Sequence, residues 1–287
     1  ESHRVPIQKL CELVLNDDSE ENIVLCNGAK MGVFSILSSL DLEQVICITP
    51  NWLGYRPIAD LLKIPFIEVD EENLNDLTYD TRKTLIIVSN PRNPSGKITN
   101  IAKLFLILNK FFSNFYLLVD EVYKDLQLSR EKYPSTPKHK NIIRVGSLSK
   151  SYAVPGLRIG YIVAHNKQLK KPLEIVNQNI NTSINSYSLE LLSQINKQHF
   201  LDFNHYFTKS INQRLNKVTP LLRKHRFEFD IPKFGFYLWL KHPQISNPYN
   251  HFRELNVLGV SGVHYGGYKD YVRLSLACSE DSFNNFI

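Results

Sequence analysis

Short apolar runs alternate with longer amphipathic stretches over the first part of the chain. The apolar runs are rich in Val, Ile and Leu without strict alternation, which is typical of strands covered on both faces. They lie at residues 22–26, 44–49, 84–89, 115–120, 142–146 and 159–164. Helical periodicity separates several of them, at residues 29–39, 55–63 and 101–112. This order predicts an α/β fold whose large domain has a mostly parallel sheet sandwiched by helices.

The pattern changes after the last of these strands. A long polar–apolar stretch at residues 167–226, interrupted near 182–186 and 199–202, predicts linking helices. Beyond it, apolar runs predict strands and one helical segment, at 227–230, 236–240, 260–263, 271–276 and, for the helix, 249–256. These elements predict a smaller α+β C-terminal domain. We place the large domain at residues 19–185 and the small domain at 1–18 plus 186–287, with an N-terminal helix over 5–15 packing on the smaller unit.

Polar or reactive residues follow five of the predicted strands. They lie at residues 27–29, 50–52, 90–96, 120 and 147–150. In an open parallel sheet, ligands bind beyond the carboxyl ends of the strands. The sequence therefore predicts one ligand site at this edge of the large sheet.

One run, at residues 145–160, carries a lysine after two serines and an arginine further on, namely Ser147, Ser149, Lys150 and Arg158. A lysine amine forms a Schiff base with an aldehyde. Serine hydroxyls and an arginine fork bind a phosphate dianion. An aldehyde and a phosphate on one molecule describe pyridoxal 5'-phosphate (PLP), whose protein partners include such a lysine and an acid for the ring nitrogen. The alternative for this run alone is a basic surface loop.

Two early segments are compatible with that cofactor. Gly28 opens a helix directly after a strand, and free N–H groups at a helix start bind phosphate; the alternative is a plain strand-to-helix turn. Trp52 lies just beyond the second strand. An indole face can stack on a heteroaromatic ring, although a tryptophan buried in the core explains this segment equally well.

The segments after the third and fourth strands supply further candidates. Residues 89–96 form a double Asn-Pro turn that aims Asn90 and Asn93, because two prolines fix the backbone; a purely structural turn is the alternative. Asp120 ends a buried strand, where a carboxylate needs a partner, and Tyr123 follows it. A magnesium-binding pair of Asp120 and Glu121 is disfavoured, because the chain has no Gly-x4-Gly-Lys-Ser/Thr phosphate loop.

Arg273 lies inside an apolar run of the predicted small domain. A buried arginine requires an anion that accepts two hydrogen bonds, and a substrate carboxylate has that shape. The alternative is an aspartate or glutamate of the chain itself.

Composition narrows the functional classes. The 287 residues are 43% hydrophobic and 22% charged, with a net charge of +6. The basic residues are scattered among acids, which disfavours a nucleic-acid footprint. No apolar stretch reaches the roughly 18 residues that span a bilayer. The four cysteines have no metal-ligand spacing and favour free thiols in the cytoplasm, and we expect no metal site.

Taken together, these segments resemble the class I and II PLP-dependent aminotransferases with the aspartate aminotransferase fold, and most of all the histidinol-phosphate aminotransferase-like members. The resemblance rests on Asn-Pro-Ser-Gly at 93–96, Asp-x-x-Tyr at 120–123 and Ser-x-Ser-Lys at 147–150 with Arg158, in that order. Matching segments run from about residue 28 to residue 273.

The resemblance implies a role for each matching position. Lys150 would be the Schiff-base lysine and proton carrier, Asp120 the pyridinium partner, and Asn93 and Tyr123 the contacts of the ring oxygen. Trp52 would stack on the ring. Arg273 would clamp the substrate carboxylate, with Asn93 beside the substrate. The phosphate cradle would consist of Gly28, Ala29, Lys30, Ser147, Ser149 and Arg158, with Ala29 and Lys30 acting through their backbone amides.

The implied activity is transfer of an amino group between an amino acid, such as a histidinol phosphate-like donor, and a 2-oxo acid, in amino acid biosynthesis. A decarboxylase of amino acids or their phosphates and a β-elimination lyase remain alternatives, because the same ring contacts serve them. A non-catalytic PLP-fold regulator is disfavoured by the intact Lys150 and Asp120. By resemblance we also expect a homodimer that binds neither membranes nor nucleic acid.

The chain departs from the family pattern near its N-terminus. It is shorter than members usually are, and the family's N-terminal arm is not recognisable. The tyrosine that a partner subunit usually sends to the phosphate is not recognisable either, since no Tyr precedes Tyr55. We therefore expect either an incomplete version of a longer protein or a phosphate site that is built differently.

Overall fold

The computed structural model describes residues 4–16 and 18–284. It contains two sheets and ten α-helices within this part of the chain. The strands are β1 (Ile23–Asn27), β2 (Gln44–Thr49), β3 (Phe66–Asp70), β4 (Thr84–Ser89), β5 (Phe115–Asp120), β6 (Ile142–Ser147), β7 (Ile159–Ala164), β8 (Tyr237–Lys241), β9 (Val260–Ser261) and β10 (Tyr271–Ser275). The helices are α1 (Arg4–Leu13), α2 (Ala29–Ser39), α3 (Tyr55–Leu61), α4 (Ile101–Leu108), α5 (Leu148–Ser151), α6 (Lys167–Asn181), α7 (Ser186–Gln194), α8 (Lys197–Lys224), α9 (Pro248–Glu254) and α10 (Glu280–Asn284).

The large sheet has seven strands in the order β1-β7-β6-β5-β4-β2-β3. Its strands from β6 through β5, β4 and β2 to β3 run parallel, whereas β7 runs antiparallel to both β6 and β1. Every residue of β2, β4, β6 and β7 is buried. Helix-covered strands of this kind are expected to be continuously apolar. The predicted α/β class with a mostly parallel sheet is confirmed.

The sequence analysis missed β3 at the edge of this sheet. The strand is only partly buried and carries two acidic residues, Glu68 and Asp70. Its apolar positions therefore do not form the continuous run that marks the inner strands, and pairing with β2 determines its conformation.

The second sheet has three strands in the order β8-β10-β9. The predicted strand at 227–230 is reduced to an isolated bridge between Glu228 and Lys241. The predicted strand at 260–263 pairs only through Val260 and Ser261. Beyond it the chain turns into a 3-10 helix, whose first turn the side chain of Ser261 caps.

Several predicted helices are shorter than their apolar periodicity suggested. The helix predicted over 55–63 ends at Leu61, since Lys63 takes a left-handed conformation with φ 57°. The helix predicted over 101–112 ends at Leu108. The long stretch is divided into α6, α7 and α8 by Asn185 and Asn196, whose side chains cap the next helix.

Helix α1 packs in a buried cluster with residues of β1, β7 and α7. The three-stranded sheet contributes no side chain to this cluster among the described residues. We expected the N-terminal helix to lie on the smaller unit. Its apolar face packs against α7, which lies within the predicted small domain, and against buried residues of β1 and β7 of the large sheet, so both predicted domains contact it.

Candidate active site

A cavity of about 250 Å³ lies at the carboxyl ends of the large-sheet strands. Every predicted site residue apart from Gly28 lines it, and the small domain closes it with side chains of β8 and β10. The lining consists of Ala29, Lys30, Trp52, Leu53, Ser89, Asn93, Asp120, Val122, Tyr123, Ser147, Ser149, Lys150, Arg158, Tyr237 and Arg273. The predicted residues thus converge on one cavity beyond the strand ends, where a ligand is expected in an open parallel sheet.

Gly28 lies at the edge of the cavity, directly against Arg158. It precedes α2 with φ 79°, and no side chain caps the first turn of that helix. A Cβ at this position would lie 2.8 Å from Arg158 Cζ and would force the guanidinium to shift, and the positive φ disfavours any other residue. Arg158 itself has φ 53° and donates to the carbonyl of Pro155 at 3.0 Å. The open helix start and the guanidinium therefore lie side by side, which suits an anion.

Two serine hydroxyls complete this side of the cavity. Ser147 Oγ donates to the carbonyl of Ile159 at 2.7 Å and lies 2.8 Å from Ser149 Oγ. It also accepts a hydrogen bond from the backbone N–H of Ser149 at 3.1 Å. These bonds fix both hydroxyls beside Arg158, where they can contact the same anion.

Lys150 lies in the one-turn helix α5, directly after β6. Its side chain is half-buried and lines the cavity. The ammonium nitrogen Nζ is 5.8 Å from the centre of the Phe236 ring. No carboxylate pairs with it within residues 4–16 and 18–284. An amine without an ion-pair partner in a partly enclosed cavity can act as a nucleophile.

Asp120 ends β5 and is 7% exposed. Its Oδ1 accepts from the backbone N–H of Val122 at 3.1 Å, and its Oδ2 accepts from the hydroxyl of Tyr55 at 2.6 Å. Burial raises the pKa of Asp120 to about 6, although both hydrogen bonds act in the opposite direction. A cation in the cavity would supply a positive partner for this carboxylate and so stabilise its ionised form.

The roof of the cavity joins the two domains. Arg273 Nη1 donates to Asn93 Oδ1 at 3.2 Å, and the guanidinium carbon lies 4.0 Å from the centre of the Tyr237 ring. The Nε atom of Arg273 is buried without a hydrogen-bond partner. No carboxylate pairs with this arginine in the part of the chain that the structure describes. The alternative that an aspartate or glutamate of the chain itself binds Arg273 is therefore not observed there.

Tyr123 and Trp52 are two aromatic residues of the large domain that line the cavity. The Tyr123 hydroxyl donates to the hydroxyl of Tyr237 at 3.3 Å, and burial raises its pKa well above the usual value. Trp52 contacts Tyr55 edge to face, with ring centres 5.2 Å apart. Trp52 is therefore fixed at the cavity wall rather than buried in the core, since it is only partly buried.

Two of the sequence candidates have structural roles. Asn90 is fully buried, and its amide bonds both the carbonyl and the backbone N–H of Thr99. Glu121 faces away from Asp120 and accepts two hydrogen bonds from Arg144, at 3.0 and 2.9 Å. The described residues contain no group of His, Cys, Asp and Glu side chains arranged for a metal ion.

Sequence reasoning missed four residues of the cavity and one behind it. Leu53, Ser89, Val122 and Tyr237 line the cavity, and Tyr55 supports Asp120 from outside it. Leu53, Ser89 and Val122 are direct neighbours of predicted segments, so proximity could have identified them. Tyr55 and Tyr237 gave no local signal, because each acquires its role through a contact distant in the chain.

The residues of the cavity fit the PLP cofactor that the sequence predicts. One end offers hydroxyls, an open helix start and a guanidinium for a phosphate. The middle offers a buried carboxylate for a cationic ring nitrogen and an amine without an ion-pair partner for an aldehyde. The other end offers an unpaired arginine for a carboxylate. The phosphate, ring nitrogen and aldehyde of PLP thus each have a chemically matched partner, and the arginine is left for the carboxylate of a substrate.

Comparison with known proteins agrees with this fit. The model of the family "Aminotransferase class I and II" matches residues 6–287. The chain is 23% identical to an aspartate aminotransferase of Thermococcus kodakarensis, over 90% of this chain and 71% of the relative. It is 26% identical to a (5-formylfuran-3-yl)methyl phosphate transaminase of Methanocaldococcus jannaschii, over 91% of this chain and 72% of the relative. It is 25% identical to a histidinol-phosphate aminotransferase of Idiomarina loihiensis, over 93% and 74%.

A solved structure supports the fold. The aspartate aminotransferase of Thermotoga maritima superposes with a TM-score of 0.82 at 23% identity, covering 99% of this chain and 79% of that one. The relatives named above are transaminases, so the decarboxylase and lyase alternatives are not favoured. No helix of the described residues is long and apolar enough to cross a membrane. The chain belongs to the class I and II aminotransferases, and it is an enzyme that uses pyridoxal phosphate to transfer an amino group between an amino acid and a 2-oxo acid.

Proposed function

We propose that the cavity between the two sheets is the aminotransferase active site, with Lys150, Asp120 and Arg273 as its central residues. The observation that carries this proposal is their convergence: a buried carboxylate lines one cavity of about 250 Å³ together with an amine and a guanidinium, neither of which has a carboxylate partner among the described residues. Their spacing along the chain is large, so the fold alone brings them together. The substrates would be an α-amino acid and a 2-oxo acid, both of which carry the carboxylate that Arg273 requires.

The cofactor would be held at its phosphate, its ring nitrogen, one ring face and its ring oxygen. Gly28, Ala29, Lys30, Ser147, Ser149 and Arg158 would bind its phosphate, with backbone amides at the start of α2 supplementing the side chains. Asp120 would pair with the ring nitrogen, Trp52 would cover one ring face, and Asn93 and Tyr123 would contact the ring oxygen. When bound, PLP supplies an aldehyde for the substrate amine and an electron-withdrawing ring that stabilises negative charge at the substrate α-carbon.

Lys150 has two tasks in this proposal. Its Nζ is the point of covalent attachment in the resting enzyme. The same Nζ would also take the proton from the substrate α-carbon and return it during the transfer. Both tasks require an amine that lines the cavity and is free of an ion pair, as Lys150 is among the described residues.

Arg273 and its neighbours orient the substrate. The guanidinium uses one N–H for Asn93 Oδ1, which leaves its buried Nε and remaining N–H groups for a substrate carboxylate. Tyr237 lies beneath the guanidinium at 4.0 Å and limits its movement. A carboxylate fixed in this way places the α-carbon of the substrate toward Lys150, which is the geometry that proton transfer needs.

The test is to replace Lys150 by Ala and follow the cofactor and the reaction together. We expect Lys150→Ala to lose the absorption of the lysine-linked cofactor and to lose turnover, by at least about a thousandfold. Lys103→Ala, an exposed lysine of α4, is the control and should behave like the parent. Turnover of Lys150→Ala within tenfold of the parent would contradict the proposal.

The amino donor is then identified with a panel of half-reactions. Aspartate, histidinol phosphate, asparagine, and aromatic and aliphatic amino acids are mixed singly with the PLP-loaded enzyme. A true donor converts the absorption of the loaded enzyme to that of the aminated cofactor and releases its oxo product, a 2-oxo acid in the case of an amino acid, in equal amount. Release of carbon dioxide, or of ammonia without formation of the aminated cofactor, would reject transamination.

We also propose that the enzyme is a cytoplasmic homodimer that serves amino acid biosynthesis. Four free cysteines, two of them buried, support a reducing compartment, and the dimer follows from the family resemblance. Sedimentation of the PLP-loaded protein tests the assembly, with a dimer expected. A monomer with full activity would contradict it.

A further inference from the structure

Tyr55 is a buried tyrosine that contacts Asp120 of the proposed active site without lining the cavity. It is the first residue of α3, three positions after Trp52, and its side chain is completely buried. Its hydroxyl donates to Asp120 Oδ2 at 2.6 Å. A contact this short between a phenol and a carboxylate is a strong, charge-assisted hydrogen bond.

The geometry leaves Asp120 little freedom. The backbone N–H of Val122 occupies one oxygen of the carboxylate and Tyr55 occupies the other. The two donors fix the plane of the carboxylate while it still lines the cavity. Tyr55 also packs edge to face against Trp52, at an interplanar angle of 88°. A single side chain thus supports both the expected partner of the ring nitrogen and the expected stacking residue.

The electrostatic surroundings of Asp120 make this support necessary. Burial disfavours its charged form, and the neighbouring Glu121 does so as well. The other polar or titratable groups near it are Cys47 on β2, Ser89 on β4, Tyr123 after β5 and Lys150 on the cavity floor. Burial also raises the pKa of Tyr55 well above its usual value, so its hydroxyl stays protonated and remains a donor.

We propose that Tyr55 is a positioning residue that keeps Asp120 ionised and oriented toward the ring nitrogen of PLP. This inference rests on the role proposed above for Asp120. Without the phenol, the carboxylate would bind a proton more tightly. The proton shared with the ring nitrogen would then move to Asp120, and the ring would lose the charge that makes it electron-withdrawing.

The direct test is the ring-nitrogen NMR signal of enzyme loaded with ¹⁵N-labelled PLP. In the parent we expect the chemical shift of a protonated ring nitrogen at neutral pH. In Tyr55→Phe, which keeps the ring and its packing, the signal should move toward that of neutral pyridine. The dissociation constant of PLP should rise by about tenfold, which corresponds to losing one hydrogen bond to a charged group.

Two further variants separate positioning from packing. Tyr161→Phe removes the hydroxyl of another buried tyrosine, on β7, and should leave both readouts as in the parent. In an Asp120→Asn background, Tyr55→Phe should change the dissociation constant of PLP by less than about twofold, because the charge it supports is gone. This background also decides the matter if Tyr55→Phe is less stable than the parent.

The outcomes distinguish this inference from the proposed function. An unprotonated ring nitrogen in the parent would refute the role of Asp120 itself. A protonated signal in the parent that is unchanged in Tyr55→Phe would overturn the role of Tyr55 alone. An equal effect of Tyr55→Phe with and without Asp120 would likewise overturn it, since the effect would then arise from packing.

Discussion

Arg273 Nη1 donates a hydrogen bond to Asn93 Oδ1 at 3.2 Å, and this bond joins strand β10 of the small sheet to the turn after β4 of the large sheet. The two residues are 180 positions apart in the chain. The arginine that we expect to bind the substrate carboxylate is therefore fixed against an asparagine that we expect to bind the cofactor. Substrate recognition and cofactor binding meet at this contact.

Replacing Arg273 should weaken substrate binding much more than cofactor binding. Arg273→Lys keeps the positive charge but loses the planar fork, so we expect the KM for the amino donor to rise by about tenfold to a hundredfold. The dissociation constant of PLP should change much less, because Asn93 keeps its other contacts. Steady-state kinetics and a PLP titration measure the two effects. Equal losses in both would show that Arg273 acts on the cofactor site as a whole.

Gly28 and Gly156 form a matched pair for testing the phosphate site. At position 28 the backbone has φ 79°, and an added Cβ would lie 2.8 Å from Arg158 Cζ. At position 156 an added Cβ meets nothing within 4 Å. We expect Gly28→Ala to weaken PLP binding by about tenfold or more, because Arg158 must move and the backbone is strained. Gly156→Ala should bind PLP like the parent. Equal affinities of the two variants in a fluorescence titration would contradict the assignment.

Asp120 gives the protein without cofactor a defined pH dependence. Its pKa in the folded state is raised to about 6, above its unfolded value of about 4. The folded state therefore binds more protons than the unfolded state between these values, and this carboxylate costs stability as the pH rises through the window. We expect the stability advantage of Asp120→Asn over the parent to grow between about pH 4 and pH 6 and to stay at on the order of 2 kcal/mol above that range. Denaturant unfolding at several pH values measures the difference, and a gain independent of pH would contradict it.

The buried pair of Glu121 and Arg144 should matter for stability rather than for binding. Arg144 donates two hydrogen bonds to Glu121, and both side chains are buried. Glu121→Gln leaves the guanidinium with less compensation, so we expect a loss of about 3 kcal/mol in the free energy of unfolding. The exposed pair of Glu228 and Lys241, 3.2 Å apart, supplies the control. Glu228→Gln should cost less than about 1 kcal/mol, and a similar cost in both variants would refute the argument.

The lowered pKa of Glu121 sets the pH range of that effect. Burial alone would raise the pKa of Glu121, but the charges of Arg144 and Lys124, together with the hydrogen bonds from Arg144 and Thr136, outweigh it and lower the pKa. A group whose folded pKa is lowered contributes stability above its unfolded pKa, and that contribution disappears as the pH falls through the folded value. The parent and Glu121→Gln should therefore approach each other in stability in strong acid.

The inner strands and the cavity residues could be predicted from the sequence because their signals are local. Strands 44–49, 84–89, 115–120 and 159–164 have the predicted bounds, since each is apolar on both faces. Asp120 and Lys150 stand directly at strand ends, so the topology of a parallel sheet brings them together.

What could not be predicted depends on contacts between distant segments. Strand β3 is defined by its pairing with β2 rather than by its own pattern. Tyr55 reads as an ordinary aromatic residue at a helix start until the fold places its hydroxyl against Asp120. Tyr237 enters the cavity only because the small sheet packs over it.

The most direct test of the account is to locate the covalent attachment of the cofactor. The PLP-loaded enzyme is reduced with borohydride, digested and mapped by mass spectrometry. We predict that the pyridoxyl group is found on Lys150 and that prior treatment with an amino donor removes it. A label on another lysine, such as Lys30, which also lines the cavity, would contradict the account.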